Sequence, residues 1–218
     1  MDIWTQYSVP STWYAWGPTL RLGPMLCQAC FRPARGLLCE TCRHLMRPAP
    51  DRILAGGVRL VAAFEHSGPA RALVHHLKYR GLTAYADLVA LVLSPSLPAL
   101  PIVPVPRVWT RQLRYGLDPA IVLAERLGRL KGVPVIKSLV APIHTRRRAG
   151  GDHSRAIAPF RISRMPGTGF MLVDDVVTTG RTLEAAIGLL GPEKVALAVS
   201  ANAAPPVSSL LGPGPDHV

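Results

Sequence analysis

Short, solidly apolar runs alternate with amphipathic stretches from residue 58 onward. Val58–Phe64 (VRLVAAF) predicts a strand. Pro69–Tyr79 predicts a helix with Pro in its first turn, where the missing N–H would have had no partner. Leu73, Val74 and Leu77 fall on one face of it, and Gly81 ends it. Tyr85–Leu93 predicts a second helix, Ile102–Val105 a short buried strand, and Pro119–Leu130 a helix capped by Asp118. Val133–Val140 and Phe170–Val173 predict strands, Thr182–Leu190 a helix, and Val195–Ser200 a last strand. Strands that are apolar throughout, rather than at every second position, are covered on both faces. The alternation therefore predicts an α/β domain built on a parallel sheet. Ligands of such sheets sit beyond the carboxyl ends of the strands.

The flanks read differently. Residues 1–24 carry Trp4, Tyr7, Trp13, Tyr14 and Trp16 without the basic start and apolar run of a secretion signal, and predict a poorly ordered lead. Residues 25–46 hold all the cysteines, Met46–Arg52 is a Pro-rich linker, residues 53–200 form the α/β domain, and 201–218 predict a flexible tail. Leu88–Pro106 is 19 residues without a charge, long enough to cross a membrane. It contains Pro95, Pro98, Pro101, Pro104 and Pro106, and in lipid the acceptors these prolines leave unbonded would find no partner. The stretch reads instead as a helix end, a turn and a buried strand, so no membrane span and a cytoplasmic location are expected. With 218 residues, 49% of them hydrophobic, the chain can bury a full core. Its formal charge of +12 favours polyanionic partners such as nucleic acid or a phosphorylated substrate.

Cys27, Cys30, Cys39 and Cys42 follow the pattern C-x2-C-x8-C-x2-C. Each C-x-x-C forms a knuckle that aims two sulfurs at one point, and two knuckles supply a tetrahedral zinc shell. A closed four-sulfur shell leaves no open position for substrate, so the expected Zn2+ is structural. The alternatives are two disulfides or four free thiols; a reducing compartment argues against the disulfides. His44 reads as a surface residue.

The segment FMLVDDVVTTGRT, Phe170 to Thr182, carries the most chemistry. An apolar strand runs into Asp174 and Asp175, and a Thr/Gly loop then runs into a helix. Val177, Thr178, Thr179, Gly180, Arg181 and Thr182 form a phosphate cradle, in which backbone N–H groups, hydroxyls and the helix dipole meet an anion. Acids beside such a cradle need a different task, namely accepting from sugar hydroxyls or holding Mg2+. Pro106 ends the Ile102–Val105 strand, and Arg107, Arg111 and Arg114 follow in a basic loop whose guanidinium forks suit a pyrophosphate. Lys78 stands at a helix end, where a cation is favoured in any case.

This segment closely resembles the PRPP (5-phosphoribosyl-1-pyrophosphate) signature of the type I phosphoribosyltransferases. With the cysteine spacing, HSGPARALVHHLKYRG (His66–Gly81), IVPVPRVWTRQLRYG (Ile102–Gly116) and the helix Ala120–Leu127, the chain resembles the ComF family, a four-cysteine module fused to a phosphoribosyltransferase domain. The resemblance covers roughly residues 25–200. It implies the type I phosphoribosyltransferase fold, with Asp174 and Asp175 as the catalytic acids on the ribose hydroxyls and the Thr/Gly loop on the 5-phosphate. It also implies Mg-PRPP as ligand, and a role in DNA uptake during competence with single-stranded DNA and competence proteins as partners. The readings it leaves are transfer of a phosphoribosyl group to an acceptor, non-catalytic DNA binding, or PRPP sensing. The chain departs from the family at Tyr115–Pro119, where many members have Arg-Gly-Phe-Asn-Gln. It departs again in a shortened loop between Val140 and Phe160, where Arg146, Arg147, Arg148, Gly150 and Gly151 are left to form a basic lid.

Overall fold

The computed structural model describes residues 25–141 and 160–204. The expected lead (1–24), the basic lid and the tail beyond residue 204 lie outside the described residues. In chain order the elements are β1 (Met25–Leu26), β2 (Pro33–Ala34), α1 (Glu40–His44), β3 (Arg52–Ile53), β4 (Arg59–Glu65), α2 (Gly68–Arg80), α3 (Ala84–Leu93) and β5 (Ile102–Pro104). There follow α4 (Trp109–Tyr115), α5 (Pro119–Lys131), β6 (Leu139–Val140), β7 (Arg161–Ile162), β8 (Phe170–Val177), α6 (Arg181–Leu190) and β9 (Val195–Ala203).

Phe170, Met171, Leu172 and Val173 are fully shielded from solvent, so β8 occupies the middle of a sheet of order β3-β4-β9-β8-β5. The pairs β4·β9, β9·β8 and β8·β5 are parallel, and β3 adds an antiparallel edge to β4. Successive side chains on a strand point to opposite faces. Met171, Val173, Val199 and Ala63 thus pack under α2, α3 and α5, while Phe170, Leu172, Ala198 and Ala62 pack under α6. Each such large apolar side chain contributes roughly 1.5–3 kcal/mol by leaving water. The mostly parallel α/β architecture read from the sequence is the one observed.

Four expectations change. Val133–Val140 is not one strand. Val135 makes a single parallel bridge to Ile102, Ile136 N donates to Ile102 O (2.7 Å), and Ser138 N then turns back onto Ile136 O (2.8 Å), which takes the chain off the ladder. Leu139–Val140 pairs instead with β7. The Met46–Arg52 segment is not a free linker, because Glu65 N donates to Arg47 O (2.8 Å) and Pro48 bridges Phe64 along the open edge of β4. Proline is tolerated there because an edge strand does not need every donor. The basic loop after Pro106 contains a helix, α4, closed by Gly116 in the left-handed region (φ 74°). Finally, Ala201–Ala203 belong to β9 rather than to a tail, since Asn202 and Ala203 pair with both β4 and β8 and are buried.

The uncharged stretch resolves as expected into the end of α3, a short turn at Ser94–Ser96 and β5. Among the described residues no helix is long and apolar enough to cross a membrane. The cysteine segment folds as β1, β2 and α1, and Cys27, Ala29, Cys42 and Met46 share one apolar cluster with Phe64, Leu73 and Leu77 of the α/β domain.

Candidate functional site

The site begins where two parallel strands end at different heights. Val105 N donates to Val173 O (2.8 Å), and beyond that bond Pro106 has no N–H to offer. Arg107 N binds Asp118 Oδ2 instead (2.6 Å), which turns the chain away from the sheet. β8 meanwhile runs on to Val177 with β9 alongside, so the edge of Asp174–Val177 that faces away from β9 is open. The acids were expected just after a strand ending at Val173; they lie within the strand, on this open stretch. They start out in different directions, one toward α2 and one toward the loop, but their carboxyls remain close enough to interact directly.

Asp175 reaches α2, where Lys78 Nζ stands 3.0 Å from its Oδ2. Asp174 lines the other side, and its Oδ1 accepts from the Asp175 N–H at 2.7 Å. Part of Asp174 is accessible, yet its carboxyl is enclosed. That burial, and then the charge of Asp175, hold it well above the usual carboxylate range.

Val177, Thr178, Thr179, Gly180, Arg181 and Thr182 wrap a hollow of about 30 Å³ together with Asp174. Thr178, Thr179, Arg181 and Thr182 are exposed. The first N–H groups of α6 have no intrahelical partner and carry the positive end of the helix dipole, so the hollow suits an anion. Gly180 is required twice over. Its φ is +89°, and a Cβ there would come within 3.2 Å of Leu54 Cδ2.

The expected pyrophosphate-side residues divide. Lys78 is at the acid pair. Arg107 is committed to protein groups, with Nη1 donating to Lys78 O (3.2 Å) and its guanidinium 5.4 Å from the ring centres of both Tyr79 and Tyr115. It neutralises the C-terminal end of α2 and so holds the helix that presents Lys78. Arg114 lies 5.6 Å from the Tyr115 ring, and Arg111 is on the same short helix α4. Asp118 ties this corner together. Besides Arg107 N it accepts from Ala120 N (3.1 Å) and Ile121 N (3.5 Å), and burial raises its carboxyl.

Two groups of residues at this sheet edge were not read from the sequence. The Tyr85 hydroxyl donates to Asn202 Oδ1, which fixes the amide so that Asn202 Nδ2 donates to Ala70 O (3.0 Å) and faces His66 Nδ1 (3.3 Å). Nδ1 must then accept, and the proton of neutral His66 sits on Nε2. Burial, then the charges of Lys78 and Arg71, keep this imidazole below its usual pKa. The second group is Arg52, whose Nη1 donates to Thr178 O (3.1 Å) and Ala204 O (3.4 Å) from beneath the loop. His66 and Asn202 follow apolar strands and carried only the general signal of polar residues at carboxyl ends. Arg52, in a Pro-rich stretch, carried none.

The sulfurs of Cys27, Cys30, Cys39 and Cys42 all lie within 4.8 Å of one another, and those of Cys30 and Cys39 are 3.7 Å apart. A Zn–S bond of about 2.3 Å implies a tetrahedron with edges of about 3.8 Å, which this cluster matches. Burial pushes the Cys27 thiol up, but the N–H groups of Cys39, Cys30 and Ala29 outweigh it and bring it down to about 7. Cys42 is pushed up by burial and by its neighbouring thiols. None of the four is in a disulfide. The cluster is compatible with a zinc site.

The chain matches no protein-family model and no curated protein. The functional reading therefore rests on the geometry above and on the motifs that led to it.

The first knuckle is docked on α2. His76 Nδ1 donates to Gln28 O at 2.7 Å, and Phe31, at φ 58°, packs its ring 4.8 Å from His76 and 5.2 Å from the Arg80 guanidinium.

Proposed function

We propose that this chain is a ComF-type protein with a type I phosphoribosyltransferase domain that binds Mg-PRPP at the carboxyl edge of β8. The observation that carries the reading is the open end of β8, where two adjacent acids run directly into a Thr/Gly loop around a small hollow. In this reading the loop N–H groups and the Thr178, Thr179 and Thr182 hydroxyls hold the 5-phosphate. The ribose hydroxyls meet Asp174 and Asp175, and Lys78 faces the pyrophosphate side. The donor set fits Mg2+ held largely by the ligand's own oxygens and water, since Lys78 already engages one carboxylate. When bound, the metal supplies charge stabilisation for a departing pyrophosphate. The reaction this supports is attack of an acceptor nitrogen on the anomeric carbon, with the C–O bond to pyrophosphate breaking and the pyrophosphate leaving with both electrons. The DNA-uptake role implied by the ComF resemblance belongs to the same proposal.

Calorimetric titration of Mg-PRPP into the zinc-loaded protein, beside the variant carrying both Asp174→Asn and Asp175→Asn, tests it. The wild type should bind, and the double variant should lose at least 100-fold in affinity. A folded wild type that does not bind Mg-PRPP removes the reading. The formal charge of +12 favours a second reading, single-stranded DNA binding on the same fold. It requires affinity that falls steeply with salt as counterions are released, and salt-independent binding would dismiss it.

A further inference from the structure

We propose that Arg52 is a positioning residue for the phosphate loop, supplied by the segment that joins the cysteine module to the sheet. The proposal rests on the reading that this loop holds a phosphate.

Three observations carry it. First, Arg52 Nη1 donates both to Thr178 O (3.1 Å) and to Ala204 O (3.4 Å). Ala204 N in turn donates to Val177 O (2.8 Å), so the guanidinium closes a ring between the end of β9 and the start of the loop. Second, the peptides of the described residues are all trans, and in a trans peptide C=O and N–H point in opposite directions. Drawing the Thr178 carbonyl down onto Arg52 therefore aims the Thr179 N–H away from β3, to the side where an anion would sit. Third, the charge has no other owner. Asp51, next in the chain, is held by Arg59, and among the described residues no carboxylate forms an ion pair with Arg52. A half-buried guanidinium with only carbonyl partners raises the positive potential under the loop. The loop presses close against it, since a Cβ on Gly180 would be 3.6 Å from Arg52 Nη2. Arg52 thus acts on a bound phosphate through the peptide it turns and through its field, without touching the ligand.

The test titrates ribose 5-phosphate and, separately, inorganic pyrophosphate into zinc-loaded wild type, Arg52→Met and Arg52→Lys, with thermal unfolding of each. Arg52→Met should weaken ribose 5-phosphate at least tenfold and leave pyrophosphate within about twofold. Arg52→Lys keeps the charge but cannot serve both carbonyls with one rigid fork, so it should recover only part of the loss. Unchanged ribose 5-phosphate affinity in Arg52→Met overturns the proposal while leaving the phosphate site intact. Equal losses for both ligands with a lowered Tm assign Arg52 to general stability. Full recovery in Arg52→Lys removes the peptide-turning role. A wild type that binds Mg-PRPP but not ribose 5-phosphate refutes the phosphate assignment of the loop and Arg52's part with it.

Discussion

Asp174→Asn should stabilise the protein while it impairs ligand binding. Asp174 and Asp175 are adjacent, and their carboxyls are close enough to interact directly, so ionising both sets two like charges side by side. At an effective dielectric of about 20, two like charges about 4 Å apart repel by roughly 4 kcal/mol. Lys78 Nζ, 3.0 Å from Asp175, offsets much of this, and a net gain of about 1 kcal/mol, the equivalent of less than one pKa unit, is expected. Asparagine keeps the Oδ1 acceptor for the Asp175 N–H. A gain of that size corresponds to about 2–4 °C in Tm for a chain of this length. The pH dependence fixes the sign. The folded pKa of Asp174 lies above its unfolded value, because burial and Asp175 disfavour the charge. The folded state therefore holds the proton more tightly, and wild-type stability falls as pH rises from the unfolded carboxylate value, about 3.9, through the folded pKa. The advantage of the Asn variant is full above that window and shrinks as pH drops to its lower end. Thermal unfolding of zinc-loaded wild type and variant between pH 4 and 8 measures it. A variant less stable than wild type at pH 8, or an advantage that grows on acidification, refutes the reasoning.

Asp118→Ala should cost about 2–4 kcal/mol in urea denaturation. It removes an N-cap, worth about 1 kcal/mol, and strands the part-buried Arg107 N–H, worth about another 1–3; Asp118→Asn should recover most of the loss. Tyr85→Phe should cost about 1–2 kcal/mol by leaving Asn202 Oδ1 without a donor in a buried position. Nitrogen NMR of His66 should then show a weakened preference for the Nε2–H tautomer. Chelation of zinc should lower Tm, with Tm following the logarithm of free metal, because the cysteine segment shares the main apolar cluster. An unchanged Tm, with no thiolate-to-cobalt absorption on substitution, would reject the metal site.

Much of the sheet was legible because its strands are short runs of Val, Leu, Ile and Phe set between helix starts marked by Pro and Asp. Periodicity placed α2, α3, α5 and α6 to within a residue or two. Most of the features that escaped depend on partners distant in sequence. The break in Val133–Val140 is local, with Ser138 N bonding back to Ile136 O, and Pro134 within the run was its one local sign. α4 is only seven residues long, and Trp109 and Leu113, one turn apart, stay exposed instead of packing on the core. The TTG loop was legible as local chemistry on one segment. Its support was not, because Arg52 lies 126 positions from Thr178. The acids were read in the right place but with the strand ending too early, because the open edge is created by Pro106 on a different strand.

The placement of the cysteine module gives it a part in the site as well as in stability. On α2, His76 holds the first knuckle and Lys78 holds Asp175. Two residues are about 200° apart around a helix, so these side chains leave α2 on nearly opposite sides. The helix therefore lies between the knuckle and the acid pair, with Arg107 fixing its last turn through Lys78 O. The segment leaving the module is fixed as well, since Arg47, Pro48, Arg52 and Ile53 pair along β4 and place Arg52 under the loop. One end of the module thus bears on the Asp175 side of this edge, and its exit bears on the Thr/Gly loop. Metal held by Cys27, Cys30, Cys39 and Cys42 would set both supports at once, which gives a physical reason for a four-cysteine module to be joined to this sheet edge.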